Sequence, residues 1–470
     1  MAFANIGSLG TASSKVSGQT LSVAVSRAVP VGRLVVIWTA WEIDYGGTPE
    51  GDRIGNIKVT DDKNNIYSTV ASFMFESNCG LHVARIGTAL EAGDNITCIH
   101  RNASKTPKAM SVEEFSMPLS KRWAVVESIV SGGQGIGSGD PVVLGIGSLE
   151  PQEYLYLHTL SSRGPDTDVY TADPDFTQIN GDGTTGGADT SNVHVRGFYR
   201  IATGTGDSSD VTSDTADRDC DQVLVALCEV QRPTFPRFGV LDNFNRADEQ
   251  PLDQATPVDP DHYWDWDAGG GPVFGNGQLR VLNNQCTRGL LTGAGAAQYW
   301  HESYTSCYVE AWVTMVVSGD LGVQWDASGD GSAAFFDAGQ VFWLPKLGST
   351  ADDVIYLGNA GNTGDPAGQL LVWMDQVDGY KLGGCRISKA PPGVVGTTSH
   401  AFVDRGDGWE WAGALFQSLF PRGGGQLVLS HWGSFTTVSD NFGGGWGQCV
   451  GGNRPRIIRR THRRGGYAPP

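Results

Sequence analysis

"LDNFNRADEQPL", Leu241 to Leu252, and "SDNFGGGWG", Ser439 to Gly447, carry the same tripeptide at the two ends of a segment of about 200 residues. A repeat, a ligand site, or a meeting of the first and last strands of one unit would each place DNF twice. Asp and Asn are turn formers that tolerate left-handed backbone, and Phe is a core residue. The motif therefore reads first as punctuation, with Phe244 and Phe442 available for burial.

Outward from this segment the chain runs to 470 residues, with 65 Gly, 10% aromatic and 18% charged residues. That length exceeds one ordinary domain and suits two all-β units. No long run repeats its apolar residues at the helical period. "TLSVAVS" (Thr20 to Ser26) alternates as a half-buried strand, whereas "RLVVIWTAW" (Arg33 to Trp41) is apolar throughout, as a strand covered on both faces should be. "KVTDDKNNIYSTV" (Lys58 to Val70) predicts a hairpin turning at Asp61 to Asn65. Further strands are expected at "GLHVARIG", "NITCIH", "SVEEFSM", "YLYLHTL", "VHVRGFYRIA" and "QVLVALCEV", and then at "GQLRVLN", "CYVEAWVTMVV", "LGVQWDA", "GQVFWLP", "QLLVWMDQV", "YKLGGCRIS" and "GQLVLSHW".

The expected fold class is all-β, two jelly-roll-like β-sandwich domains followed by a short extended basic tail. Pro233 and Pro236 mark a connector, which divides the chain into a domain at 1–230, a linker at 231–239, a domain at 240–451 and a tail at 452–470. Eleven of the 14 tryptophans fall in the second domain. No fixed-period repeat, collagen triplet or heptad is present, which argues against a propeller, a solenoid or a fibrous shaft.

A formal net charge of −18 repels phosphate backbones, so nucleic acid is not an expected partner. The N-terminus lacks the basic and apolar regions of a signal peptide, and no apolar run is long enough for a membrane span, so membrane insertion is not expected. The eight cysteines are scattered without a C-x-x-C pair. They read as buried free thiols, with a Cys79–Cys98 disulfide left open. The tail carries Arg454, Arg456, Arg459, Arg460, Arg463 and Arg464 without an acid, and is either solvated or docked on an acidic neighbour.

Candidate chemistry is sparse. "WEIDYGG" puts Glu42 and Asp44 on one strand face in the manner of a glycosidase strand, but Gly46 and Gly47 stand where a third carboxylate is needed, and no catalysis is expected there. Nucleophile-elbow, zinc-protease and phosphate-loop motifs are missing. A lone histidine such as His158 reads as a satisfied polar residue. "DASGDGSAAFFD" sets Asp326, Ser328, Asp330, Gly331 and Asp337 at calcium-loop positions, yet it lacks the closing Glu and is flanked by strand-like residues. A hairpin turn is the expectation, and no metal or other cofactor is required; calcium is the one ion the pattern would admit. Trp264 with Trp266 and Trp409 with Trp411 stand two residues apart, so each pair shares a face when extended. Such faces stack on the C–H faces of sugars, and core packing or a subunit interface is the alternative.

The second domain resembles the laminin-G-like or concanavalin A-like jelly-roll modules of many phage structural proteins. The likeness rests on Asp242, Phe244, Asn245, Arg246, Ala247, Asp248, Leu252 and a later Trp264, then on "GQLRV", "YVEAWVTM", "GVQWDASGDGSAAFF" and a closing "DNFGGG" in that order. The first domain is similar to a second β-sandwich type of phage tail and virion proteins, through "AVPVGRLVVIWTA", "VTDDKNNIYS" and "ALEAGDNITCIH" followed by "SVEEFS". The whole chain thus resembles minor tail proteins of long-tailed phages of actinobacteria. That resemblance implies a virion protein, assembled in the host cytoplasm, with other tail proteins and a bacterial surface glycan as partners. It also implies a homo-oligomer, a trimer among the options, although no residue pattern forces that number. A head decoration protein and a polysaccharide-degrading tail enzyme are the alternatives. In such a jelly roll the first and last strands are neighbours, so the two DNF motifs are expected to close one domain with their phenylalanines in a shared core.

Overall fold

The structure is a computed structural model that describes residues 3–42, 57–74, 77–100, 107–133, 143–146, 152–188, 191–204, 207–209, 212–213, 220–245, 248, 264–265, 279–288, 295–300, 307–317, 320–327, 339–345, 353–359, 369–374, 377–388, 397–417, 426–432 and 438–447. The described residues form strands joined by turns, with no α-helix among them. The fold is all-β and is built as a sandwich of two large sheets.

The first sheet has twelve strands and the second fourteen. In the first, Ala4–Ser14, Lys108–Ser116, Leu34–Glu42, Ser77–Arg85 and Tyr67–Met74 lie in that order, and then Gln369–Trp373 continues the sheet into the strands of the second segment. In the second, His194–Gly204, Gln152–Ser162, Cys220–Gln231 and Lys121–Gly133 run up to Trp409–Gln417, beyond which Thr397–Asp404, Lys381–Ser388, Tyr308–Val317 and Val438–Gly447 follow. Both sheets therefore cross from one segment to the other.

The crossings are short. Tyr67–Met74 pairs antiparallel with Gln369–Trp373 at Thr69↔Leu371 and Ser68↔Val372. Lys121–Gly133 meets Trp409–Gln417 in parallel at Val125↔Leu415. Ser68 Oγ donates to Ala412 O across the buried space between the sheets at 3.0 Å. One apolar layer fills the sandwich through both segments, from Trp38, Leu155 and Val225 to Val309, Leu382 and Leu429.

Leu34–Glu42 is buried on both faces for a visible reason. Leu34, Val36, Trp38 and Ala40 face the main core, while Val35, Ile37 and Trp41 face a second core under a small sheet of Thr20–Ala24, Asn95–His100 and Ile57–Asp61. Thr20–Ala24 covers that layer with strict alternation, Leu21 and Val23 inward. The hairpin expected at Lys58 to Val70 is a corner instead. Ile57–Asp61 pairs with Asn95–His100 in the small sheet, and Tyr67–Met74 pairs in the first large sheet. The cause is Asp61, whose carboxylate accepts from Lys63 N, Asn65 N, Asn65 Nδ2 and Tyr67 Oη at 2.8–3.0 Å and turns the chain out of one sheet into another. Asn64 takes the left-handed backbone there, at φ 57°.

The two DNF motifs meet as expected. Val240–Asp242 pairs antiparallel with Val438–Gly447, Asp242 opposite Phe442. Phe244 and Phe442 are fully buried in the main core. Asp242 Oδ1 accepts from Phe244 N, and Asp440 Oδ1 accepts from Asn441 N, each at 2.8 Å. Phe244 and Asn441 are the residues that take positive φ. The acids are thus turn formers.

The connector is docked on the outer face of the second sheet. Phe235 stacks on Phe402 with centroids 4.3 Å apart and meets Trp409 edge-on at 4.8 Å. The glycines of that face give it room: a Cβ at Gly383 would lie 2.7 Å from the Phe235 ring, one at Gly445 2.6 Å from the Phe238 ring, and one at Gly443 2.1 Å from Trp312. This explains two of the three glycines after DNF, Gly443 and Gly445, which form a floor for aromatic rings; at Gly444 a Cβ would instead lie 2.4 Å from Glu310 O. Cys79, Cys98, Cys220, Cys228, Cys286 and Cys385 are buried free thiols, so the Cys79–Cys98 alternative falls. Cys307 departs from the free-thiol expectation and is disulfide-bonded. The basic tail, with Arg454, Arg456, Arg459, Arg460, Arg463 and Arg464, lies outside the described residues.

Candidate functional site

Where the sheets cross between segments, their turns converge on a pocket of about 360 Å³. Its volume lies at the lower end of the range for small-ligand sites. One wall is the corner at Asn65 and the end of strand Ser77–Arg85; the opposite wall is the turn between Thr397–Asp404 and Trp409–Gln417. Arg122, at the start of Lys121–Gly133, and Arg232, in the connector, close it.

Trp409 and Trp411 both line this pocket and are half-buried. Trp411 packs edge-on against Trp123 at 5.3 Å and donates its Nε1–H to His400 Nδ1 at 3.2 Å. The Arg122 guanidinium lies 5.9 Å from the Trp411 ring centroid. Trp409 is held by Phe235 and, at 6.2 Å, by Trp312. The rings thus serve aromatic packing and pocket lining at once. Their rigidity follows from these neighbours, which fix ring orientation before any ligand arrives.

Charge sets this pocket apart from the acidic average of the chain. Among the described residues, Lys63, Arg85, Arg122, Arg232 and Arg405 line it against a single carboxylate, Glu410. Glu410 is taken by Arg405 in a two-pronged pair at 2.7 and 2.9 Å, and Lys63 pairs with Asp94 at 3.2 Å. The other three guanidiniums make their hydrogen bonds to backbone carbonyls: Arg85 Nη2 donates to Leu119 O at 2.7 Å, Arg122 Nη1 to Lys121 O at 2.9 Å, and Arg232 Nη2 to Trp409 O at 3.2 Å. Arg85 Nε is buried with no hydrogen-bond partner among the described residues. Burial, followed by the nearby charges of Arg85 and Arg232, brings the Arg122 guanidinium down to about 10. Burial and Arg232 lower Arg85 as well. The arrangement is suited to hold an anion by directed N–H donors.

Other residues singled out in the sequence lie elsewhere. Trp264 belongs to the short strand Trp264–Asp265 at the far edge of the first sheet; its side chain and the whole of Trp266 lie outside the described residues. Trp264 and the pair Trp409 and Trp411 are therefore on different sheets. Glu42 ends strand Leu34–Glu42, and Asp44 lies outside the described residues. Asp326 sits in strand Asp320–Ala327, while Ser328, Asp330, Gly331 and Asp337 lie outside them. Among the described residues no group of three or more His, Cys, Asp or Glu is placed to hold a metal ion. His158 is buried, meets Gln222 Oε1 at 3.1 Å through Nε2, and is driven by burial down to about 4.

Of this pocket's lining, sequence reading singled out Trp409 and Trp411 and none of the arginines. Arg85, Arg122, Arg232 and Arg405 come from four distant stretches, each with only one or two cations nearby. The signal is created by the sheet crossing, not by any local motif. No family model matches the chain, and no curated protein does either.

Proposed function

We propose that the protein is a structural component of a phage virion, a minor tail protein that contributes to tail assembly and to adhesion on a bacterial surface glycan. The observation that carries the adhesive part is the pocket lined by Trp409 and Trp411 at the crossing of the two sheets. Tryptophan rings held edge-on by other aromatics offer preorganised apolar surface beside hydrogen-bond donors, the combination that sugar recognition uses. The virion part draws support from the all-β sandwich and from the pairing of the two DNF strands, the two features of the jelly-roll resemblance that the fold contains. Fold by itself leaves function open, so the virion assignment stands on that resemblance and the adhesive one on the site. Binding without reaction is the activity proposed.

Two measurements test this reading. Antibody against the protein, imaged on intact particles by electron microscopy, is expected to label the tail; particles that never carry label would overturn the virion assignment. Binding of purified protein to host envelope polysaccharide is expected to drop on Trp409→Ala, and equal binding by a folded variant would remove this pocket from the adhesive role.

A further inference from the structure

We infer that the pocket between the sheets takes an acidic saccharide, a sugar ring bearing a carboxylate or phosphate group, with the anionic group held by Arg85, Arg122 and Arg232 and the ring against Trp409. This inference rests on the adhesive reading above and names the ligand class for that same site.

Four observations lead to it. The chain carries a net charge of −18, yet among the described residues five cations and one carboxylate line this pocket. Arginines gathered in an acidic protein are expected to find acidic partners, and here Arg405 has done so with Glu410. Arg85, Arg122 and Arg232 bond to carbonyl oxygens instead, and two of them reach the same one: Leu119 O receives Arg85 Nη2 at 2.7 Å and Arg122 Nη1 at 3.5 Å. A carbonyl oxygen carries only a partial charge, so it satisfies the N–H groups without neutralising the cations. Bringing like charges together in a partly dry pocket costs free energy that a bound anion would recover.

The third observation is geometric. Arg85 sits at the end of a strand of the first sheet, Arg122 at the start of one in the second, and Arg232 in the docked connector, so three rigid elements present guanidiniums to one volume. Planar guanidiniums match the paired oxygens of carboxylates and phosphates. Fourth, burial and the neighbouring guanidiniums lower Arg85 and bring Arg122 down to about 10, so each cation would gain from an anion beside it.

The neighbouring indole distinguishes a saccharide from a bare anion. Trp409 and Trp411 line the same pocket, and the amide side chain of Asn65 stands on the opposite wall. Asn65 is itself held by Asp61 and by the backbone of Gly87 and Thr88, so its position is fixed. A small inorganic anion would use the arginines and leave the indoles out of contact. A sugar ring would use both.

The experiment measures binding of the full-length protein to an array of oligosaccharides with acidic and neutral members, including trigalacturonate, the matching neutral trigalactoside and a sugar phosphate, with inorganic sulfate as a separate probe. Binding confined to acidic members is expected, with Arg85→Gln and Arg232→Gln each weakening it about tenfold and Trp409→Ala weakening it by a similar factor. Circular dichroism and thermal unfolding check that each variant is folded. A salt titration of the unsubstituted protein reads the same contact without any substitution, and acidic ligands are expected to weaken as salt rises. Uronate binding without sugar-phosphate binding, or the converse, identifies the anionic group and supports the inference. Equal binding of neutral and acidic members, unmoved by the arginine variants, would overturn the acidic class and leave the glycan reading in place. Binding of sulfate alone, with no saccharide bound, would overturn both.

Discussion

Glu310 has no exposed surface and yet stands on the outer face of the second sheet, because the connector covers it. Its carboxylate accepts from Arg237 N and Phe238 N at 2.7–2.9 Å and from Tyr308 Oη at 2.5 Å, while the Arg237 guanidinium lies 3.7 Å from the Tyr308 ring centroid. One acid thereby ties two backbone amides of the connector to the sheet. Glu310→Ala leaves the partly buried amides of Arg237 and Phe238 without this acceptor, while Tyr308 Oη keeps Thr234 O at 3.2 Å, and is expected to cost about 2 kcal/mol. Glu310→Gln, which keeps an acceptor oxygen, is expected to cost less. Urea unfolding at unchanged denaturant slope measures both, and a shift under about 0.5 kcal/mol for the alanine variant would contradict the anchoring role. His400 makes a second prediction. It is buried, and burial with the Arg122 charge lowers it to about 3 from an ordinary 6.5. The unfolded chain binds the proton first on acidification, so the folding stability this residue contributes is whole above about pH 6.5 and is lost as pH falls toward 3. Protonation would also put a hydrogen on Nδ1, the atom that accepts from Trp411 Nε1. Unfolding measured stepwise from pH 7 to pH 4 is expected to show falling stability, and His400→Gln is expected to flatten that slope; an unchanged slope would place the titration elsewhere.

Among the strands, Val438–Gly447 joins the most separate tasks. It pairs with Val240–Asp242, with Tyr308–Val317 and with Gln285–Arg288, and its glycines carry the connector's rings. Gly443 stands directly opposite Trp312, and a Cβ there would lie 2.1 Å from a rigid indole that is itself almost fully buried. Gly443→Ala is expected to destabilise by about 1–3 kcal/mol through overpacking, read as a lowered thermal midpoint. The companion Trp312→Leu substitution in the same chain is expected to recover part of that loss, and no recovery would show that the clash lies elsewhere. This strand also shows what the sequence discloses. DNF at both ends discloses turn formers beside core phenylalanines, since burial and turn chemistry are local properties; that the two strands are neighbours is what the jelly-roll resemblance implied and what their pairing shows. The all-apolar "RLVVIWTAW" likewise disclosed a strand covered twice, because Val35 and Ile37 need a cover just as Val36 and Trp38 do. The corner at Asp61 was hidden: the same Asp and Asn residues build a hairpin or a sheet change, and only the partners of the flanking strands decide between them. The arginine pocket was hidden for a related reason. Its cations converge through pairings such as Val125↔Leu415, which no local periodicity encodes.

Across the whole molecule, the consequence of two sheets that both cross between segments is mechanical coupling. Each crossing is short, two antiparallel residue pairs in one sheet and a single parallel pair in the other. Hydrogen bonds of that number would not bind two bodies firmly, at about 1 kcal/mol net apiece. The apolar layer does more: Val70 and Val125 on one side and Leu370, Val372 and Leu415 on the other belong to one buried cluster. Separating the segments would expose these side chains together, at about 1.5–3 kcal/mol for each large one. The connector adds Phe235 and Phe238, which lie on the second segment's outer face while the chain leaves the first. These contacts also hold Arg85 and Arg122 against Arg232 and Trp409, so the pocket persists only while the segments stay joined. Unfolding is therefore expected to be a single transition. Tryptophan fluorescence, which reports mainly on the second segment because eleven of the 14 tryptophans lie there, and hydrogen exchange of the first-segment strand Leu34–Glu42 should give coincident midpoints in urea. Two separated midpoints would show that the shared layer does not couple the halves, and the pocket would then be expected to open at the lower one.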